Sequence, residues 1–153
     1  MLKKFITWNE IHNYIKQSDV VKNNQDVDLV VAVGSGGMIP GVIIAKLLDK
    51  PVINIGVKTY NANLNEQTYM AQWYQKFDFK KSKHKKLLVV DDINDTGFTL
   101  ATINSFLMSG FYTEQDVNYF TVFSKPRSYF RCDSAAEVAD DAWLVFPWEV
   151  NNE

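Results

Sequence analysis

Apolar residues in this chain fall in short runs, each broken by glycine, proline or acid. Asp28–Val33 carries a run of five apolar residues that stops at Gly34-Ser35-Gly36-Gly37, the pattern of a buried strand ending in a turn. Val52–Val57, Leu87–Val90 and Tyr119–Phe123 predict three more strands, and Ala142–Phe146, closed by Pro147, a short fifth. Between them the spacing changes to that of helices. Trp8, Ile11, Tyr14 and Ile15 share one helical face behind Thr7, a suitable N-cap. Gly41–Leu48 predicts a second helix, with Pro40 in its first turn and Pro51 beyond its end. Thr99–Met108 predicts a third, stopping at Gly110 as C-cap. Residues 59–79 are polar and aromatic with weak periodicity, which predicts a functional lid or a disordered loop.

Strands alternating with helices imply a parallel α/β sheet with right-handed crossovers. Ligands of such sheets bind beyond the carboxyl ends of the strands. That rule gathers Gly34–Gly37, Lys58–Tyr60, Asp91–Thr99 and Ser124–Arg127 onto one rim.

Composition narrows the class of ligand. The 153 residues suit a single domain, with no repeat or linker composition to divide it. Sixteen basic against eighteen acidic residues give a net charge of −2, so no overall field recruits nucleic acid or an anionic membrane. No apolar run reaches the roughly 18–20 residues that span a bilayer. One cysteine, Cys132, allows no internal disulfide, and a cytoplasmic location is expected. Cys132, His12 and His84 have no zinc-site spacing.

The chemistry concentrates in Leu87-Leu-Val-Val-Asp-Asp-Ile-Asn-Asp-Thr-Gly-Phe-Thr99. An apolar strand delivers Asp91 and Asp92 to the rim, and a polar turn then feeds a helix. Backbone N–H groups from Asp95 to Thr99 make a seat for phosphate at that helix start, where Gly97 permits close approach and Thr96 and Thr99 offer hydroxyls. Two carboxylates beside a phosphate seat make sense if they hold sugar hydroxyls or Mg²⁺. The combination points to a phosphorylated sugar. Other phosphate motifs fail: Gly36 and Gly41 have the P-loop gap, but Val42 stands where lysine is required. Gly34 and Gly36 lack the third glycine of the dinucleotide fingerprint.

Val89–Leu100 resembles the phosphoribosyl-diphosphate (PRPP) motif of type I phosphoribosyltransferases. Trp8, Val31–Gly41, Phe123-Ser-Lys-Pro126 and Asp141–Glu149 extend the resemblance, in order, toward the bacterial xanthine-guanine branch. It implies that fold, a parallel sheet with helices on both faces and a small hood. It also implies the reaction of a 6-oxopurine base with PRPP, giving a nucleoside 5′-monophosphate and pyrophosphate with Mg²⁺. By the same resemblance Asp91 and Asp92 would hold the ribose hydroxyls, Asp92 also the metal. Asp95, Thr96, Gly97, Phe98 and Thr99 would bind the 5′-phosphate, with Asp95 the general base. Gly34, Ser35, Gly36 and Gly37 would form the pyrophosphate loop. Lys125 would donate to the purine's exocyclic oxygen, Trp143 would stack on the ring and Leu144 would read its far edge through the backbone. Phe146 and Trp148 are left as packing residues. Relatives imply a homo-oligomer, a dimer or tetramer.

The sequence departs from the family in its cations. Ser35 stands where relatives carry a basic residue, and residues 59–78 contain no arginine. Arginine's fork is the usual grip on pyrophosphate, so Lys58 is the nearest substitute. The cluster Lys80–Lys86 precedes the third strand and is expected on the opposite rim, as a solvated loop. The alternative to an enzyme is a non-catalytic protein on the same fold that senses PRPP or nucleotide.

Overall fold

The computed structural model describes residues 3–63 and 68–149. Six strands form the main sheet, in the order β4-β3-β2-β5-β6-β7. They are β2 (Leu29–Val33), β3 (Val52–Asn63), β4 (Thr68–Gln75), β5 (Leu87–Asn94), β6 (Val117–Ser124) and β7 (Asp133–Glu137). All pair in parallel except β4, which runs antiparallel to β3. The helices are α1 (Trp8–Gln17), α2 (Val20–Asn23), α3 (Met38–Leu48) and α4 (Phe98–Met108).

Strand alternation sorts the central residues onto two faces. Val30, Leu88, Val90, Phe120 and Val122 pack with Ile11, Ile15, Val20 and Ile44 of α1, α2 and α3. Leu29, Val31, Val33, Leu87 and Val89 pack with Leu100, Ile103 and Leu107 of α4. The sheet is therefore buried on both sides, which is why its central strands are continuously apolar. Thr7 caps α1 in a full capping box: its hydroxyl accepts from the Glu10 N–H, and Glu10 accepts from the Thr7 N–H.

The sequence expectations need three corrections. The described residues of 59–79 do not form the disordered loop that was one of the two expectations, because β3 continues to Asn63 and pairs with β4 as an antiparallel ribbon. Residues 64–67 of that expected loop lie outside the described residues. The expected fifth strand, β8 (Trp143–Val145), pairs instead with β1 (Lys3–Phe5) in a separate two-stranded sheet. The edge strand β7, Asp-Ser-Ala-Ala-Glu, has no fully buried residue and so carried no apolar signal. Among the described residues no helix is long and apolar enough to cross a membrane.

Candidate active site

Three adjacent strands, β2, β5 and β6, release their chains at the same rim. They deliver Gly34–Gly37, the turn Asp95–Gly97 and the segment Lys125–Arg127. A cleft of about 730 Å³ opens there, lined by Gly34, Ser35, Gly36, Asp91, Asp92 and Thr99 among others. A second, of about 420 Å³, is lined by Asp91 and Asp92, Asp95–Gly97, Thr99 and Arg127. Asp91, Asp92 and Thr99 belong to both, so the acidic pair stands between two lobes of one site.

The pair is electrostatically costly. Burial pushes the Asp91 carboxyl well above the ordinary carboxylate range, and the neighbouring Asp92 charge pushes it further. Burial likewise raises Asp92, to about 6, with the charge of Glu149 acting the same way. Backbone donors offset part of this: the Asp92 N–H bonds Asp91 Oδ1 at 2.8 Å, and the Ile93 N–H bonds Asp92 Oδ1 at 2.7 Å. Two desolvated carboxylates favour a partner bringing positive charge or hydroxyl donors.

Gly97, at φ +95°, makes the turn into α4. A Cβ there would stand 2.7 Å from both the Phe130 N and the Ser128 Oγ, so only glycine fits. Thr96 holds the same turn, its hydroxyl accepting from the Phe98 N–H at 3.2 Å and its carbonyl from the Tyr129 N–H at 3.1 Å. The amino end of α4 thus opens onto the smaller lobe, a place suited to an anion.

Asp95 faces two cations. The Lys125 Nζ lies 3.6 Å from its Oδ1, and the Arg127 Nε donates to the same oxygen at 2.7 Å, joined by Nη2. Lys125 is only 6% exposed and also donates to the Asp140 carbonyl at 3.2 Å. The segment carrying these cations is tied down by buried Asn94. Its Nδ2 donates to the Phe130 carbonyl at 2.7 Å, and its Oδ1 accepts from the Ser128 hydroxyl at 2.9 Å.

The residues expected from sequence distribute unevenly. Gly34, Ser35 and Gly36 line the larger lobe; Gly37 is buried beneath the loop against the carbonyls of Val33 and Val90. Phe98 opens α4 without lining either lobe. Lys58 is exposed and lines neither lobe: Val57 faces the cleft, and alternation turns the next side chain away. Trp143, 49% exposed, and buried Leu144 also line neither lobe, although Asp140, just before them, touches Lys125 and Arg127. Lys80–Lys86 lies at the other rim as expected, where Asp28 at the amino end of β2 accepts from the N–H groups of Lys85 and Lys86.

Sequence reasoning missed Tyr74, Trp148, Glu149 and Arg127 as lining residues. Trp148 is not mere packing. It stacks on Phe146, ring centres 4.9 Å apart, and still reaches the cleft. Arg127 had a signal in its place two residues beyond Lys125, on the rim itself.

The chain matches the family model described as "Phosphoribosyl transferase domain" over residues 8–151. It is 28% identical to the xanthine-guanine phosphoribosyltransferase of Desulfotalea psychrophila, covering 97% of this chain and 87% of that one. The corresponding protein of Nitratidesulfovibrio vulgaris is 26% identical, covering 94% and 83%. Among solved structures, the purine phosphoribosyltransferase of Pyrococcus horikoshii superposes with a TM-score of 0.76 at 25% identity, covering 100% of this chain and 98% of that one. Matched by that family model over more than nine-tenths of its length, this chain belongs to the phosphoribosyl transferase domain family.

Proposed function

We propose that this protein is a purine phosphoribosyltransferase, joining a 6-oxopurine (guanine, xanthine or hypoxanthine) to PRPP in a purine salvage reaction. The observation that carries the reading is the acidic pair standing between two lobes, one ending in a glycine loop and the other at the amino end of α4. A molecule with a sugar between two phosphate groups fits that order. The xanthine-guanine and purine relatives support the choice of base.

Asp91 and Asp92 accept hydrogen bonds from the ribose hydroxyls. The turn Asp95–Thr99 holds the 5′-phosphate with backbone N–H groups at the helix start. Gly34–Gly37, with the Ser35 hydroxyl, faces the pyrophosphate. Asp95 takes the proton from the purine ring nitrogen as the glycosidic bond forms, and Lys125 donates to the exocyclic oxygen. Trp143 and Leu144 line neither lobe but follow Asp140, which holds Lys125, so the base would lie beside Lys125 with Trp143 on its face and the Leu144 backbone at its edge. The carboxylates near the ribose stabilise positive charge developing on the sugar.

The donor set suits Mg²⁺. Asp91 and Asp92 offer hard oxygen ligands whose mutual repulsion a divalent cation relieves. Among the described residues no group of three or more metal-binding side chains occurs, so Asp92 would hold the ion together with substrate oxygens. When bound, Mg²⁺ neutralises charge on the departing pyrophosphate.

The test is chromatography of products from Mg-PRPP with guanine, xanthine, hypoxanthine or adenine. Nucleoside monophosphate from at least one 6-oxopurine, exceeding that from adenine, supports the reading. Tight nucleotide binding without turnover of any base would favour a sensor on the same fold.

A further inference from the structure

The ligand proposed above is strongly anionic, yet the side chains lining the two lobes include Asp91, Asp92, Asp95 and Glu149 against one cation, Arg127. That cation is already engaged. Its Nε and Nη2 converge on the single oxygen Oδ1 of Asp95, while among the described residues Nη1 has no hydrogen-bond partner. This falls short of the two-oxygen fork that arginine and a carboxylate form at their best. The backbone is fixed independently, because the Arg127 N–H donates to Asp140 Oδ1 at 2.9 Å. The side chain itself is 47% exposed and Asp95 42%, so the guanidinium is free to exchange partners without disturbing the core. It lines the same lobe as Thr96, Gly97 and Thr99, at the amino end of α4.

We propose that Arg127 is a phosphate-binding residue parked on Asp95. A phosphate entering the lobe at α4 takes over the guanidinium, and Asp95, left with the Lys125 Nζ at 3.6 Å, is thereby released from Arg127 to act on the base only once that lobe is filled. A phosphate offers three acceptor oxygens in the geometry the planar fork prefers, so the exchange favours the ligand. The device also answers the shortage of arginine in the first loop. Positive charge comes from the segment after β6, and the carboxylate that would repel the phosphate is what holds that charge in place beforehand. The release of Asp95 rests on the reading of Asp95 as general base; the phosphate contact does not.

Calorimetry with ribose 5-phosphate and with ribose separates the possibilities, since neither carries a purine. Arg127→Gln is expected to weaken ribose 5-phosphate at least tenfold while leaving ribose unchanged, and Arg127→Lys to retain part of the affinity. Asp95→Asn frees the guanidinium and is expected to tighten ribose 5-phosphate several-fold, a gain that disappears in the Asp95→Asn/Arg127→Gln double variant. Unchanged ribose 5-phosphate affinity in Arg127→Gln, or a gain that survives in the double variant, overturns the proposal. A wild-type protein that shows the expected binding pattern but turns over no purine defeats the catalytic reading and leaves the phosphate contact standing. Full turnover, with the KM for PRPP unaltered in Arg127→Gln, defeats the Arg127 assignment alone.

Discussion

Gly36 is pressed so closely on Asp92 that a Cβ at the glycine would stand 2.3 Å from the carboxylate Oδ2. The first glycine loop and the end of β5, more than fifty residues apart in sequence, thus form one wall of the site. Gly36→Ala is expected to displace the Asp92 carboxyl, cost about 1–3 kcal/mol of stability and raise the KM for PRPP several-fold. Thermal melting and steady-state kinetics check both. A variant with wild-type KM would mean the contact has no bearing on substrate.

The same carboxylate gives a pH signature. Its pKa in the folded chain is raised to about 6, against 3.8 for the ordinary side chain. Such a group lends stability that is fully present below the unfolded value and is lost as pH climbs through the folded one. In metal-free, ligand-free protein, Asp92→Asn removes that loss. It is therefore expected to be more stable than wild type at pH 7, by about 1–3 kcal/mol. The advantage should shrink toward pH 4. Melting curves with a chelator across this range check the prediction, and a pH-independent difference contradicts it.

Much of this wall was legible beforehand. Continuous apolar runs marked β2, β5 and β6 because both faces of the sheet are covered, and the carboxyl-end rule then placed Asp91 and Asp92 beside Gly34–Gly36. What failed had physical reasons. The ribbon β3–β4 carries polar and aromatic residues in place of an apolar run, and β7 is an edge strand with no fully buried side chain. The side-chain direction of Lys58 depends on β3 continuing beyond Val57, which the polar sequence after it does not announce. The Arg127–Asp95 pair joins residues 32 apart, and no local pattern announces it.

Asp95→Asn tests the proton-transfer role. An amide of the same shape cannot accept the proton, so kcat is expected to fall by about 10²–10⁴ while PRPP still binds. Steady-state kinetics with equilibrium binding of Mg-PRPP separates the two effects. An unchanged kcat removes Asp95 from the mechanism.

Ser35 is exposed and lines the larger lobe, on the loop proposed to face the pyrophosphate. Ser35→Arg is expected to lower the KM for PRPP by about three- to tenfold, the gain of one charge-assisted contact at a solvated site. Titration of initial rate against PRPP is the check. Equal or weaker binding would show that the loop does not face the pyrophosphate.

The reaction proposed for this site couples a purine to PRPP. The decisive measurement is pyrophosphate release from Mg-PRPP, with nucleoside monophosphate followed in the same reaction. Release that requires a 6-oxopurine, and matches the nucleotide formed one for one, is the predicted result. Release independent of any base, or no nucleotide from guanine, xanthine or hypoxanthine, would contradict it.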